Sequence, residues 1–100
     1  MEKGADIHSI YKPSENVVAR EIEGELIIVP LVSGIGDSKE ELYALNETGK
    51  SIWEKLDGKT TLENVVKKLG VEFNAPVDKI EKDVFGLVGE LLKRRMLIEA

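Results

Sequence analysis

Reactive side chains are scarce in this chain, and those present do not converge. His8 is the single histidine, and there is no cysteine. A histidine-assisted nucleophile needs an ordered base held against it, whereas His8 falls in a polar N-terminal stretch that reads as a solvated tail. Without cysteine there is no disulfide, no thiolate metal ligand and no thiol nucleophile. A metal site would have to be built from carboxylates, and Asp78, Glu81 and Asp83 form the tightest set. Those acids stand near the start of an expected helix, where the dipole favours negative charge without any metal. Lys79 and Lys82 interleave with them, as on a solvated face. Gly34-Ile35-Gly36 is not a phosphate loop, because neither a GxGxxG pattern nor a Lys-Ser/Thr pair follows it. The inventory points to no enzyme: no catalytic residue, no metal, no cofactor, and a function that works by binding.

Composition sets the scale. One hundred residues, 42% apolar and 33% charged, make one small globular domain with a single core. The longest apolar run, residues 26–32, contains Pro30 and is far too short to span a bilayer. Residues 1–10 hold no apolar segment of the kind a secretory signal needs. A cytoplasmic location and no membrane contact are therefore expected. The net charge of −5 is uneven: residues 1–45 carry four basic and nine acidic side chains, and residues 46–100 carry ten of each. Such a balance argues against general nucleic-acid binding and favours a partner segment with some positive charge.

The elements that would position a binding site follow from punctuation and periodicity. Residues 1–14 are expected as a flexible tail, with the alternative that Ile7, Ile10 and Tyr11 add a strand or pack over the sheet. Residues 15–100 form the domain. Runs 17–22 and 25–32 are β-rich and separated by Glu23-Gly24, a hairpin spacing; Pro30 marks an edge or a bend. Residues 33–40 form a loop, and 41–45 a third short strand. Asn46 caps a helix over 47–56, with Glu47 at its positive end and Ile52, Trp53 and Leu56 buried. Asp57-Gly58 supplies a left-handed stop. Thr60 and Glu63 match a capping box for a helix over 61–69 that Gly70 ends. Pro76 opens a third helix with an apolar stripe at Val77, Ile80, Val84, Leu87, Val88 and Leu91, widened by Phe85 and Leu92. Met96-Leu97-Ile98 is a candidate extra strand. The fold class is α+β: an N-terminal three-stranded antiparallel sheet followed by three helices, resembling a winged helix-turn-helix.

Two features survive as candidate binding surfaces. The strand at 41–45 follows a loop, and at a sheet edge it would offer unpaired N–H and C=O groups to an extended peptide; the alternative is an ordinary edge guarded by Glu40 and Glu41. Gly86 and Gly89 sit within the third helix, where each glycine costs roughly 1 kcal/mol relative to alanine. Either the fold packs tightly there or a ligand approaches.

Leu45-Asn46-Glu47-Thr48-Gly49, Ile52-Trp53, Leu56-Asp57-Gly58 and Thr60-Thr61-Leu62 resemble the core pattern of the PqqD-like family. Asp83-Val84, Leu91-Leu92 and Met96-Leu97-Ile98 fit its last helix and tail. The resemblance covers about residues 15–99. That family is named for a small protein of pyrroloquinoline quinone biosynthesis, and its fold serves as the recognition element of ribosomally made, modified peptides. It implies a non-catalytic peptide chaperone that holds the leader region of a precursor peptide and presents it to a modifying enzyme, a radical SAM protein above all. The leader would add as a strand between the third strand and the third helix. Carried onto this sequence, Leu42, Tyr43 and Ala44 form one wall of that groove, and Lys82, Phe85, Gly86, Gly89 and Lys93 the other. One departure is Ala75, where the family usually has an acidic cap before the proline. The resemblance does not by itself assign the chain to pyrroloquinoline quinone synthesis, name the precursor or fix the oligomeric state. Two rivals stand beside it. One is a winged-helix DNA-binding regulator, resting on Lys93-Arg94-Arg95 and Lys67-Lys68; the other is a protein–protein adaptor, or a dimer formed through the same edge.

Overall fold

A computed structural model describes residues 5–31 and 42–100. Val32, the loop expected at 33–40, Glu41 and residues 1–4 lie outside the described residues. The chain runs β1 (Tyr11–Pro13), β2 (Val17–Ile22), β3 (Glu25–Pro30), β4 (Tyr43–Leu45), α1 (Glu47–Lys55), α2 (Leu62–Phe73), α3 (Val77–Lys93) and β5 (Leu97–Glu99). The α+β expectation, an antiparallel three-stranded sheet with three helices after it, describes the main body.

The hairpin forms where the sequence places it. Ile22 pairs with Glu25 and Val17 with Pro30, and Glu23 and Gly24 both take positive φ, 51° and 85°. Two left-handed residues in a two-residue loop match the right-handed twist of the flanking strands, although Glu23 meets the steric cost that glycine escapes. β4 adds antiparallel to the other side of β3, with Leu26 opposite Leu45 and Ile28 opposite Tyr43. The sheet order is thus β2-β3-β4. Pro30 is the last residue of the central strand, so its missing N–H falls at the end of the ladder. Leu26 and Ile28 point inward with the period of two that a strand imposes.

The helix boundaries show which signals act. Asn46 Oδ1 accepts the Gly49 N–H at 2.8 Å, as expected of that cap. The second cap lies one residue later than the Thr60 box: Thr61 Oγ1 accepts the Asn64 N–H at 3.3 Å. Thr60 is instead bound into the preceding turn, where the Asp57 carboxylate accepts the N–H groups of Lys59 and Thr60 and the Thr60 hydroxyl. α2 also runs through Gly70 to Phe73 and stops at Asn74 in the left-handed region. Buried Leu69 and partly buried Phe73 extend its apolar stripe by one more turn. Pro76 is the N-cap of α3, not its first helical residue, and makes no side-chain cap bond. At its far end the Met96 N–H donates to Leu91 O and the Arg95 N–H to Leu92 O. With Arg95 at φ 63°, that is a Schellman closure, and Met96 packs in the core near Leu91 as the motif requires.

The flexible-tail expectation for residues 1–14 is corrected for residues 5–14. β1 pairs with β5, Tyr11 opposite Glu99 and Pro13 opposite Leu97. The free N–H groups of Leu62 and Glu63, orphaned at the start of α2, donate to Ser9 O and Ile7 O at 2.9 and 2.8 Å. Tyr11 is 3% exposed and its hydroxyl accepts the Asp6 N–H. One core unites Tyr11 with Ile28, Trp53, Leu62, Val84 and Leu97, so Trp53 is core material as read from its helix. Among the described residues no helix is long and apolar enough to cross a membrane.

Candidate functional site

Among the described residues β4 has a strand partner on one side only, β3. Its other side opens on a groove of about 610 Å³ between β4 with the start of α1 and one flank of α3. Tyr43, Ala44 and Leu45 form the strand wall, continued by Asn46, Thr48 and Gly49. Gly49 has a packing reason: a Cβ there would lie 3.2 Å from the Leu45 side chain, so glycine lets α1 start close beneath the strand. Ile52 adds apolar surface at the base. The opposite wall is Asp83, Gly86, Leu87, Glu90 and Arg94. At Gly86 an added Cβ would meet none of the described residues within 4 Å, so none of them explains that glycine by close packing.

Of the residues singled out from sequence, Tyr43, Ala44 and Gly86 come together in this groove. Leu42 is exposed beside the start of β4 without lining it, and Lys82, Phe85, Gly89 and Lys93 lie elsewhere on α3. The discrepancy is rotational. Each residue advances a helix by about 100°, and the buried stripe of α3 is Ile80, Val84, Val88 and Leu91. Residues 82, 89 and 93 occupy the face opposite that stripe, and Gly86 stands at the border between that face and the flank that lines the groove. A groove wall has to flank the stripe, and residues 83, 87, 90 and 94 do so. Phe85 falls on the other flank, partly buried against the core. Gly89 is open, with nothing within 4 Å of a Cβ, but does not line the groove. Asp83, Leu87, Glu90 and Arg94 were missed because periodicity gives the buried stripe and leaves its two flanks equivalent.

The groove has a defined electrostatic pattern. Arg94 Nε–H donates to Glu90 Oε2 at 2.8 Å, and the guanidinium carbon lies 4.9 Å from the centroid of the Tyr43 ring. A guanidinium over an aromatic face is attracted by the ring quadrupole, so Arg94 ties α3 to the opposite wall. Lys50 Nζ meets Glu21 Oε2 at 2.7 Å and joins α1 to β2; the hydrogen bond to Glu21 raises the Lys50 pKa. Among the described residues no group of His, Cys, Asp or Glu is arranged to hold a metal ion.

The family model described as Coenzyme PQQ synthesis protein D (PqqD) matches residues 25–97, which include β4, the groove and all three helices. The chain belongs to the PqqD family. Curated relatives include the PqqA binding protein of Gluconobacter oxydans (strain 621H), 32% identical over 63 residues, covering 63% of this chain and 66% of that protein. The PqqA binding protein of Rhizobium meliloti (strain 1021) is 36% identical over 58 residues, covering 58% and 59%. These matches span less than two thirds of either relative. Among solved structures, TbiB1 in complex with the TbiA(β) leader peptide superposes with a TM-score of 0.71 at 23% identity, covering 86% of this PqqD-family chain and 93% of that one. The PqqD truncation of Methylobacterium extorquens PqqCD, a stand-alone recognition element for ribosomally synthesised and modified peptides, gives a TM-score of 0.73 at 18% identity, covering 94% of both. At those identities the likeness is one of fold.

Proposed function

We propose that this chain is a non-catalytic peptide chaperone of the cytoplasm. It binds the leader region of a ribosomally made precursor peptide as a strand added to β4 and presents it to a modifying enzyme of the radical SAM type. The observation that carries this reading is that, among the described residues, the edge of β4 is open and faces a groove whose far wall has Gly86 with none of them packed on it. Edge N–H and C=O groups supply affinity through main-chain hydrogen bonds, and Ile52 and Leu87 supply apolar contacts that set register. Gly86 leaves room for the added strand. Membership of the PqqD family and relatives named for binding PqqA support a peptide as the ligand. A non-enzymatic role fits the side-chain inventory, because binding by main-chain pairing asks for no acid, base or nucleophile.

The test is a paired substitution read on isotope-labelled protein titrated with a synthetic PqqA-type precursor peptide. Gly86→Leu fills the groove, whereas Gly89→Leu places the same side chain outside it. Both changes meet open space and replace glycine with a better helix former, so both variants fold. Gly86→Leu should weaken binding by at least about tenfold, or roughly 1.4 kcal/mol, with Gly89→Leu near wild type. Amide shifts in the wild type should concentrate in residues 43–46 and 83–94. Equal affinity of the two variants, or shifts clustered elsewhere, would refute the reading.

A further inference from the structure

The groove's charges are unequally matched. Glu90 and Arg94 neutralise one another at 2.8 Å, and Arg94 is also engaged by the Tyr43 ring. Asp83 is exposed, lines the same wall, and forms no ion pair with any described residue. The start of α1, which also borders the groove, adds no surplus positive charge. Its first turn carries Glu47, and its Gly49 N–H is taken by Asn46, so the partial charge of the helix end is already answered. Lys50, the nearest lysine on α1, is held by Glu21. Resting on the reading of the groove as a peptide site, we propose that Asp83 is its specificity-determining residue and selects a lysine or arginine on the bound strand.

The geometry gives the selection a position as well as a sign. Asp83 and Arg94 are eleven residues apart on α3, about 16 Å at 1.5 Å per residue. That is the length of about five residues of extended chain. A strand lying along this wall meets the Arg94–Tyr43 contact at one end and the Asp83 carboxylate at the other. The favoured ligand is thus an extended segment with a cation about five residues from the side chain that packs on Tyr43. Gly86, between them, lets the strand backbone come close to the helix.

Random dodecapeptides displayed on phage, selected against the whole chain, test this whatever the sequence of the natural precursor. Selection runs in parallel on wild type, Asp83→Asn, Asp83→Lys and Gly86→Leu, each first checked by circular dichroism for an unchanged melt. Wild type should enrich lysine or arginine at one fixed position. Asp83→Asn should lose that preference, Asp83→Lys should exchange it for aspartate or glutamate, and Gly86→Leu should enrich nothing. For a synthetic wild-type winner measured by fluorescence anisotropy, Asp83→Asn should weaken binding about three- to fivefold, the size expected of a partly exposed ion pair. That difference should shrink as salt is raised. The same cation preference in wild type and Asp83→Asn would overturn the role of Asp83 and leave the groove reading standing. No enrichment by wild type would overturn both.

Discussion

Replacing Tyr11 by alanine asks whether the N-terminal segment is part of the fold or a tail. A buried tyrosine removes about 150–250 Å² from water, which at about 25 cal/mol per Å² gives roughly 4–6 kcal/mol. Alanine keeps the Cβ and the unfolded chain already shields some of the ring, so about a third is subtracted and about 3–4 kcal/mol remains. The hydroxyl adds little, because the Asp6 N–H that it accepts belongs to an exposed residue and turns to water on its loss. Trp53 is the only tryptophan and is buried, so its emission follows unfolding in urea without a label. Tyr11→Ala should lower the midpoint at unchanged slope and depress the melting temperature by about 12–30 °C, since 1 kcal/mol is worth about 4–8 °C in a domain of this size. Tyr11→Phe should cost less than about 1.5 kcal/mol, the upper end for one hydrogen bond. If Tyr11→Ala lies within about 0.5 kcal/mol of wild type, as surface substitutions do, residues 5–14 are the tail their composition suggests and the β1–β5 pairing contributes nothing.

Two further predictions concern the turns. Glu23→Asn should raise stability by about 0.5–1 kcal/mol in the same urea assay, because asparagine tolerates the left-handed conformation that Glu23 holds at φ 51°; a loss of stability would mean that Glu23 makes a contact that matters more than its strain. For Asp57, the Lys59 N–H above all and then the Thr60 groups hold the carboxyl pKa below its ordinary value. A depressed carboxylate stabilises the fold above its unfolded pKa of about 3.9 and loses that contribution as the pH falls through the folded value. The stability gap between wild type and Asp57→Asn, measured from urea midpoints, should therefore be full near neutrality and close below about pH 4. A gap independent of pH would remove the charge from the account.

The parts of the fold that the sequence carries are those with local causes. Asn46, Gly24 and Gly58 act on residues within one turn of themselves, and the strands and helices between them fall where the apolar periods place them. Competition between neighbours defeats the same reasoning elsewhere. Thr60 and Thr61 are equally good caps, and the choice is made by the Asp57 carboxylate, which claims Thr60 first. Gly70 ends nothing, since Phe73 still gains by joining the stripe. β1 is three residues long, contains Pro13, and finds its partner at the far end of the chain, so no window of sequence displays the pairing. In the groove, the strand wall was legible because an edge strand is a local object. Of the helix wall Gly86 alone was legible, because helical spacing defines the buried stripe but does not say which of its two flanks faces β4.

The basic run Lys93-Arg94-Arg95 shows how placement reassigns residues that composition groups together. As three adjacent cations they support a nucleic-acid surface. In the structure each has a separate task. Arg94 turns into the groove, bound to Glu90 and stacked on Tyr43. Arg95 takes the left-handed position that closes α3, and Lys93 stands in the last turn, where the dipole favours a cation. Lys67 lies 3.8 Å from Glu63 on its own helix. A phosphate backbone is gripped by cations that face one way and are free to exchange counterions for phosphate. Here the middle cation faces the β4 edge and its charge is already matched, so the end of α3 serves the wall of the groove better than it serves a duplex.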